Sequence, residues 1–455
     1  MKNRLLSLIA AMVLVLSTCA ANHLALQASG IRVETDRTWY LAGEAMKVRV
    51  TADDAMIAYA ELCDTYGLAA GVVIGLKEGA GRGVIELPTD LHSGYYVLSA
   101  YTRDNVHVAN RLVAIVNALH KSEDDDIEWL SGDSCWVMSD GVADLTSRKA
   151  VDVRETEGHI VKARVKNVYK GTTFRDTQIR PSLSIVGKQI HYFEGKMVND
   201  STAVFYTYGI HGRQPLVLSA TTLTGVNLPI EVISPYAALL PKSLPHLEFH
   251  YQHSEVEARS ISMQRHQIAI APAKRELQLG DLSDDTAEDG VPLDYDETVF
   301  GTKPDLAYNL DDYRQFLTIR EVLLEYVNCV RKIKRNGVTR LIVRKEQEHY
   351  NSSWPAMVLI DGMPVNDIER LLDYDARRVH YINIYNGQYT FGNGIYNGIL
   401  SLISRSGRLT NYPVEPNVQY LVYEFPETSN NSQIILIFTR IALPLHPKTK
   451  KKRKR

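Results

Sequence analysis

From residue 31 to about residue 235 the chain changes character every few residues: short runs of alternating apolar and polar side chains are cut by glycine, proline, serine or aspartate. IRVETDRTWYLAGEAMKVRVTA, residues 31 to 52, places two such runs around Ala42-Gly43-Glu44, and AYAELCD, residues 58 to 64, alternates again. GVIELP and GYYVLSAYTR follow, separated by Pro88, Ser93 and Gly94. Successive side chains of a strand point to opposite faces, so alternation marks a strand with one buried face. Turn signals at roughly 8 to 12 residue spacing then mark many short antiparallel strands, which stack as a sandwich. This predicts a β-sandwich over residues 22–122.

The acidic run Glu123-Asp124-Asp125-Asp126 reads as a linker into a second strand-rich block, 127–235. Its expected strands are HIVKARVKNVY, LSIVGKQIHYF, STAVFYTYGI and PLVLSATT, bounded by Gly171, Gly187, Gly195 and Gly209. At 455 residues and 45% apolar, the chain has room for roughly two to four domains with an ordinary globular core. Lys plus Arg total 51 against 53 Asp plus Glu, so bulk charge recruits no nucleic acid and none is expected as a partner.

Residues 1–21 carry an address. Lys2 and Arg4 precede the apolar run LLSLIAAMVLVLS, residues 5 to 17, which is shorter than the roughly 20 residues a membrane-spanning helix needs. A secretory signal peptide is predicted, cleaved after Ala20 or Ala21, and no later stretch is apolar enough to span. Leu16-Ser17-Thr18-Cys19 resembles a lipoprotein box, which makes Cys19 a candidate lipidation site and a lipid anchor the alternative to simple cleavage; Thr18 departs from the usual pattern. Cys63, Cys135 and Cys329 remain, widely spaced, without CxxC or Cys/His zinc spacing, so neither a disulfide framework nor a metal or other cofactor is expected. Cys135 in GDSCWVM has no local signature joining it to a base.

YLAGE, AYAELCD and HSGYYVLSAYTR together resemble the second-domain module of the alpha-macroglobulin family as it occurs in bacterial envelope proteins, over residues 31–118. The resemblance implies a stiff sandwich used for spacing or protein contact. Protease trapping does not come with it, because no Gly-Cys-Gly-Glu-Gln thioester run exists here.

Residues 236–298 are expected to hold a strand and an acidic linker. His246, His250 and His253 would share one face of a helix, as zinc ligands do, but Leu247, Phe249 and Tyr251 alternate behind Pro241 and Pro245, and a strand fits better. GDLSDDTAEDGVPLDYDET, residues 280 to 298, is acidic and poor in aliphatics; Ala287 breaks a calcium-loop series, leaving a solvated linker.

The C-terminal block, 299–410, mixes helix and strand. Thr318 and Glu321 form a capping box for a helix whose stripe is Ile319, Val322, Leu323, Tyr326, Val327 and Val330, with basic last turns before Asn336-Gly337. TRLIVR and AMVLI are strands, Asp361-Gly362 sets a two-residue hairpin, and Asn366 with Glu369 caps the short helix DIERLLDYD. HYINIYNG and GILSLISRSG complete the set. VLIDGMPVND, YINIYNG and GNGIYNGILSLISRSG resemble the plug domain of TonB-dependent outer-membrane receptors, over residues 310–408. A transmembrane barrel takes at least about 8 strands of roughly 10 residues; residues 411–455, a tail ending in PLHPKTKKKRKR, cannot supply them. The expected fold class is mainly β with a C-terminal α+β domain: tandem sandwiches, then a plug-like domain without its barrel.

No nucleophile elbow, HExxH or phosphate loop is present. The expectation is a non-catalytic exported envelope protein, periplasmic or outer-membrane associated in a Gram-negative bacterium, whose partner is another envelope protein of an uptake or surface system. The alternative is a carbohydrate- or peptide-processing hydrolase, because a dispersed carboxylate pair leaves no motif.

Overall fold

The computed structural model describes residues 30–104, 107–118, 127–137, 155–166, 179–186, 190–222, 226–276, 296–335, 337–344, 354–391, 394–407, 412, 415–427 and 440–441. The expected leader with Cys19, the acidic run 123–126, the expected linker up to residue 295 and the basic end lie outside them. The described chain is mainly β, and no helix in it is long and apolar enough to cross a membrane. Two compact units divide it: Met1–Thr156 with Tyr236–Ala269 and Pro426–Asn431, and Glu157–Pro235 with Ile270–Phe425 and Ser432–Arg455.

In the first unit, a sheet of Arg32–Thr35, Ala45–Thr51 and Ala80–Glu86 shares a core with a five-stranded sheet ordered Trp39–Leu41, Ala109–Val116, Gly94–Tyr101, Ile57–Cys63, Leu68–Gly75. Alternation does here what it predicts: Met46, Val48 and Val50 are buried while Lys47 and Arg49 face solvent. A third sheet sets Ile127–Ser131 parallel to Leu247–Tyr251, with Trp136–Val137 antiparallel on the other side. Residues 127–137 therefore belong to the first unit, and the second sandwich starts at His159 rather than 127. Alternation assigns faces, not partners, and the partner strand here is more than a hundred residues away.

A second correction concerns 236–298. The expected strand is present as Leu247–Tyr251, but His253 then opens a helix, His253–Glu276. Val256 and Met263 are buried whereas Ile261 and Ile268 are exposed, so the apolar residues form no single stripe and the helical signal is weak. The helix docks instead through specific contacts. Arg259 pairs with Glu44 at 2.6 Å and lies 3.5 Å over the Trp39 ring, and Met263 fills the space beside Gly43. His250 stacks on Trp136 at 3.7 Å, and among the described residues no group of three His, Cys, Asp or Glu could hold a metal ion.

The second unit joins a sandwich to the α+β sheet. One sandwich sheet runs Lys196–Asn199, Thr202–Thr207, His159–Val165, Ile230–Ile233; the other runs His191–Glu194, Ile179–Ile185, Gly212–Thr222, Asn227–Leu228. Gln419–Phe425 pairs antiparallel along Gly212–Leu218 of the latter, and Phe425 enters the core with Leu183, Phe205 and Leu218. The 411–455 segment is thus not all tail: it supplies a strand to the sandwich, and Tyr423 shares a 2.8 Å hydrogen bond with His159.

The α+β sheet is ordered Leu306–Asn309, Val379–Phe391, Gly394–Ser404, Met357–Ile360, Met363–Pro364, with Met357–Ile360 parallel to Ile399–Leu402 and Arg440–Ile441 on the long strand. Leu359, Ile360, Ile382 and Ile384 are fully buried in it. The helix expected to reach Asn336-Gly337 is shorter: it spans Ile319–Glu325, and Val330–Arg335 is a strand paired with Val338–Val343. Arg335 pairs with Val338, so the expected helix end near residue 337 is the end of a strand pair instead; Asn336 itself lies outside the described residues.

Candidate functional site

Of the sequence-predicted residues, Cys19 lies outside the described ones, and Thr318, Glu321, Asp361, Gly362, Asn366 and Glu369 make the following contacts in the α+β domain. Thr318 Oγ accepts from Glu321 N at 3.3 Å, and Glu321 Oε2 accepts from the backbone of Thr318 and Leu317 at 3.1 and 3.0 Å, the reciprocal capping box expected. Asp361 and Gly362 have φ of +47° and +81°, the two positive angles of a type I′ turn joining Ile360 to Met363. The Asp361 carboxylate does more than turn: it is buried and accepts from Ser404 N at 2.7 Å and Ser404 Oγ at 2.6 Å, so the turn also fastens the end of the neighbouring strand.

The second cap is displaced by one residue. Asp367, not Asn366, accepts from the helix at Arg370 N, 3.2 Å away. Asn366 instead donates its backbone N–H to Glu415 at 2.9 Å and its side-chain amide to Asn227 at 3.1 Å. Glu369 is no cap either. It accepts from Thr339 at 2.7 Å, Arg320 at 3.0 Å and Lys332 at 3.2 Å, which joins both short helices to the hairpin. Those donors, Thr339 foremost, push its carboxyl down to about 2.

Around the first cap lies the most unusual surface among the described residues. Tyr313 packs on Tyr326 with ring centres 4.6 Å apart, Phe316 on Tyr326 at 5.4 Å, and Tyr308 on Tyr313 at 6.2 Å. Tyr326 also donates to Arg314 O at 3.2 Å. On the short helix Ile319, Val322 and Leu323 face the core, so the adjacent Leu324, one hundred degrees on, faces water and is 75% exposed. Leu317 precedes the cap, where a hydrophobic staple would cover it, yet remains 64% exposed. Leu310, Tyr313, Phe316 and Tyr326 line a shallow depression together with Arg314, Arg377 and Arg405. Two of these arginines are held by aspartates, Arg377 by Asp375 at 2.8 Å and Arg405 by Asp311 at 3.2 Å. His380, on the same rim, meets Asp311 at 3.3 Å, and its pKa is lowered chiefly by burial. Sequence reasoning passed over this surface; the signals available were the adjacent leucines of EVLLEY and the aromatics of DDYRQFL lying outside any alternating run.

The buried carboxylates accept hydrogen bonds from the segments around them. In the first unit Glu61, fully buried, accepts from Tyr101 OH at 2.9 Å and from the backbone N–H groups of Leu239 and Ala238 at 2.6 and 3.1 Å. Glu155 accepts from Tyr59 OH at 2.6 Å and meets Arg103 at 3.2 Å, with that guanidinium 5.1 Å over the Tyr59 ring. Each carboxylate is thereby committed to fastening chain segments. In the second unit Asp296, fully buried, accepts from Asn383 and Tyr385 at 2.9 and 3.0 Å, and burial raises its pKa. Cys63 is likewise buried and its thiol pushed up to about 12, chiefly by burial, the opposite of an activated nucleophile. Cys135 is raised too, again mainly by burial.

No protein-family model matches the chain, and no curated protein does. Among solved structures it is similar to Escherichia coli alpha-2-macroglobulin activated by porcine elastase, at 13% identity and a TM-score of 0.18, over 46% of this chain and 20% of that one. It is also similar to the BSP domain of a biofilm associated protein, at 10% identity and a TM-score of 0.17, over 47% and 30% of the two chains. The human OSCAR ligand-binding domain is matched at 13% identity and a TM-score of 0.15, over 45% of this chain and 98% of that one. The chain thus spans about a fifth of the length of the macroglobulin it is similar to.

Proposed function

We propose that this protein is a non-catalytic, exported envelope component that holds another protein chain against the aromatic and leucine surface of its C-terminal domain. The observation that carries the reading is the exposure of Leu317 and Leu324, close in sequence to Tyr313, Phe316 and Tyr326, which pack together and line a depression with Arg314, Arg377 and Arg405. Large exposed apolar side chains gathered in one place mark contact sites, and tyrosine and arginine are enriched at the residues that carry binding energy. The partner it suits is a protein presenting an apolar segment, which a tyrosine-rich face covers at small entropic cost. The macroglobulin-like and plug-like resemblances of the sequence, with its expected leader and the candidate lipid attachment at Cys19, support a reading in the periplasm or at the outer membrane of a Gram-negative bacterium, in company with an uptake or surface system.

A photo-crosslinking residue at position 324 of the full chain, expressed in its own cells, tests this. The expected result is one dominant adduct with an envelope protein, absent when the crosslinker stands at Tyr66 on the first unit and lost when Leu317→Asp is added. Purified Leu324→Asp is expected to melt with the wild type, since the side chain it replaces is mostly in water, yet to bind the partner at least about tenfold more weakly, 1.4 kcal/mol. Equal adducts from positions 324 and 66, or undiminished affinity of Leu324→Asp, would overturn the assignment.

A further inference from the structure

In the second unit a cavity of about 140 Å³ lies among residues of the sandwich strands Ile179–Ile185 and Gly212–Thr222, the Val338–Val343 strand and the 355–368 stretch. An engineered cavity of about 150 Å³ holds one benzene, so this one suits an occupant of roughly six to ten non-hydrogen atoms. Part of the lining is apolar: Ala356, Met357, Val358, Val365 and Ile368. The polar part is mostly committed. Ser182 and Ser219 bond each other at 2.7 Å, Thr221 bonds Asn227 at 3.3 Å, and Thr339 donates to Glu369.

Arg180 is different. It lines the cavity, and its Nε is buried with no hydrogen-bond partner among the described residues. Its guanidinium stands 6.0 Å from the centre of the Tyr396 ring and bonds that phenol, Tyr192 bonds Ser182, and burial keeps both phenols, which belong to the lining, protonated. Arg340 adds a second guanidinium, and no carboxylate lines the cavity among the described residues. Glu194, paired in register with Ser182, is the acid whose influence on both tyrosines opposes that of Arg180. A buried guanidinium N–H without an acceptor is costly, and a carboxylate removes the cost with charge-assisted bonds that a neutral acceptor cannot match.

We propose that this cavity is a binding site for a small organic carboxylate, its charged end on Arg180 beside the Tyr192 and Tyr396 hydroxyls and its short hydrocarbon body against Met357, Val358 and Ile368. The site is independent of the protein-contact surface around Leu324 and does not rest on it. With the Arg180 Nε–H unpaired and part of its lining aliphatic, the site is expected to discriminate against both inorganic anions and uncharged amides.

Titration calorimetry on the full chain with 4-methylpentanoate, 4-methylpentanamide and inorganic phosphate tests the assignment. Saturable binding of the carboxylate is expected, at least tenfold tighter than either of the others and weakened at least tenfold by Arg180→Gln. Tyr396→Phe, which leaves the cavity's shape intact, is expected to weaken it threefold or more, and it serves if Arg180→Gln does not fold by circular dichroism. The proposal is overturned by absence of saturable carboxylate binding, by an amide or phosphate that binds as tightly, or by folded variants that bind as the wild type does.

Discussion

Gly362 is the position where a single methyl group reports most directly on how the second unit is assembled. Its φ of +81° lies in the region that costs a side-chain-bearing residue about 1–2 kcal/mol. A Cβ built there would also stand 2.8 Å from Cβ of Ile190 and 3.2 Å from its Cγ2, so the hairpin tip and the sandwich edge are already in contact. Crowding of that kind costs about 1–3 kcal/mol. Gly337 is the internal control: its φ is +80°, and nothing lies within 4 Å of the Cβ it lacks. Both substitutions to alanine remove similar freedom from the unfolded chain, so their difference isolates the Ile190 contact. Both sites lie in the same unit, so one urea transition reads both. Gly337→Ala is expected to cost about 1–2 kcal/mol, Gly362→Ala about 2–5 kcal/mol, and Gly362→Val more again because a β-branched residue resists the turn. Equal losses at the two glycines would refute the close approach and with it the docking of turn against sandwich.

Other outcomes follow from single contacts. Ile382→Ala, at a fully buried strand position, is expected to lower the stability of the second unit by about 2–5 kcal/mol in the same urea titration. Thr318→Ala removes the cap and should cost about 1 kcal/mol, read as a lower urea midpoint. Asp296 gives a pH signature. Its folded pKa is raised above the unfolded value near 3.8, so the native state holds the proton more tightly. Its contribution is therefore complete below that value and is lost as pH rises through the folded pKa. Asp296→Asn should gain on the wild type as pH is raised from about 4; parallel stability curves for the two proteins would show that the carboxylate is not desolvated.

What was legible in the sequence was whatever depends on neighbours along the chain. Met46, Val48 and Val50 announce their buried face by alternation, Thr318 and Glu321 their reciprocal cap by a three-residue spacing, and Asp361-Gly362 its turn by composition. What depends on distant partners was not. Val330 continues the helical spacing of Ile319, Val322 and Leu323, but its place is decided by pairing with Val343, and the helix yields to a hairpin. His253–Glu276 has no stripe because polar contacts, Arg259 with Glu44 and Trp39, anchor it as much as apolar ones. The cap of the 368–372 helix lies at Asp367 rather than Asn366, whose side chain is instead engaged by Asn227, far along the chain. The candidate surface escaped because exposure of a leucine is a property of the folded helix, and the Arg180 cavity because its lining comes from segments more than a hundred residues apart.

The strand Gln419–Phe425 also carries a consequence in time. The sandwich strand it covers ends at Thr222, so about 200 residues separate the need for an edge partner from its arrival. At a synthesis rate of roughly 5–20 residues per second, the 212–218 edge waits on the order of ten to forty seconds with open backbone groups and an unfilled place for Phe425. An open edge is a template for pairing with another chain. The newly made protein is therefore a client for a holding chaperone during that interval, and a stop codon anywhere between residues 223 and 418 leaves a product in which the wait never ends.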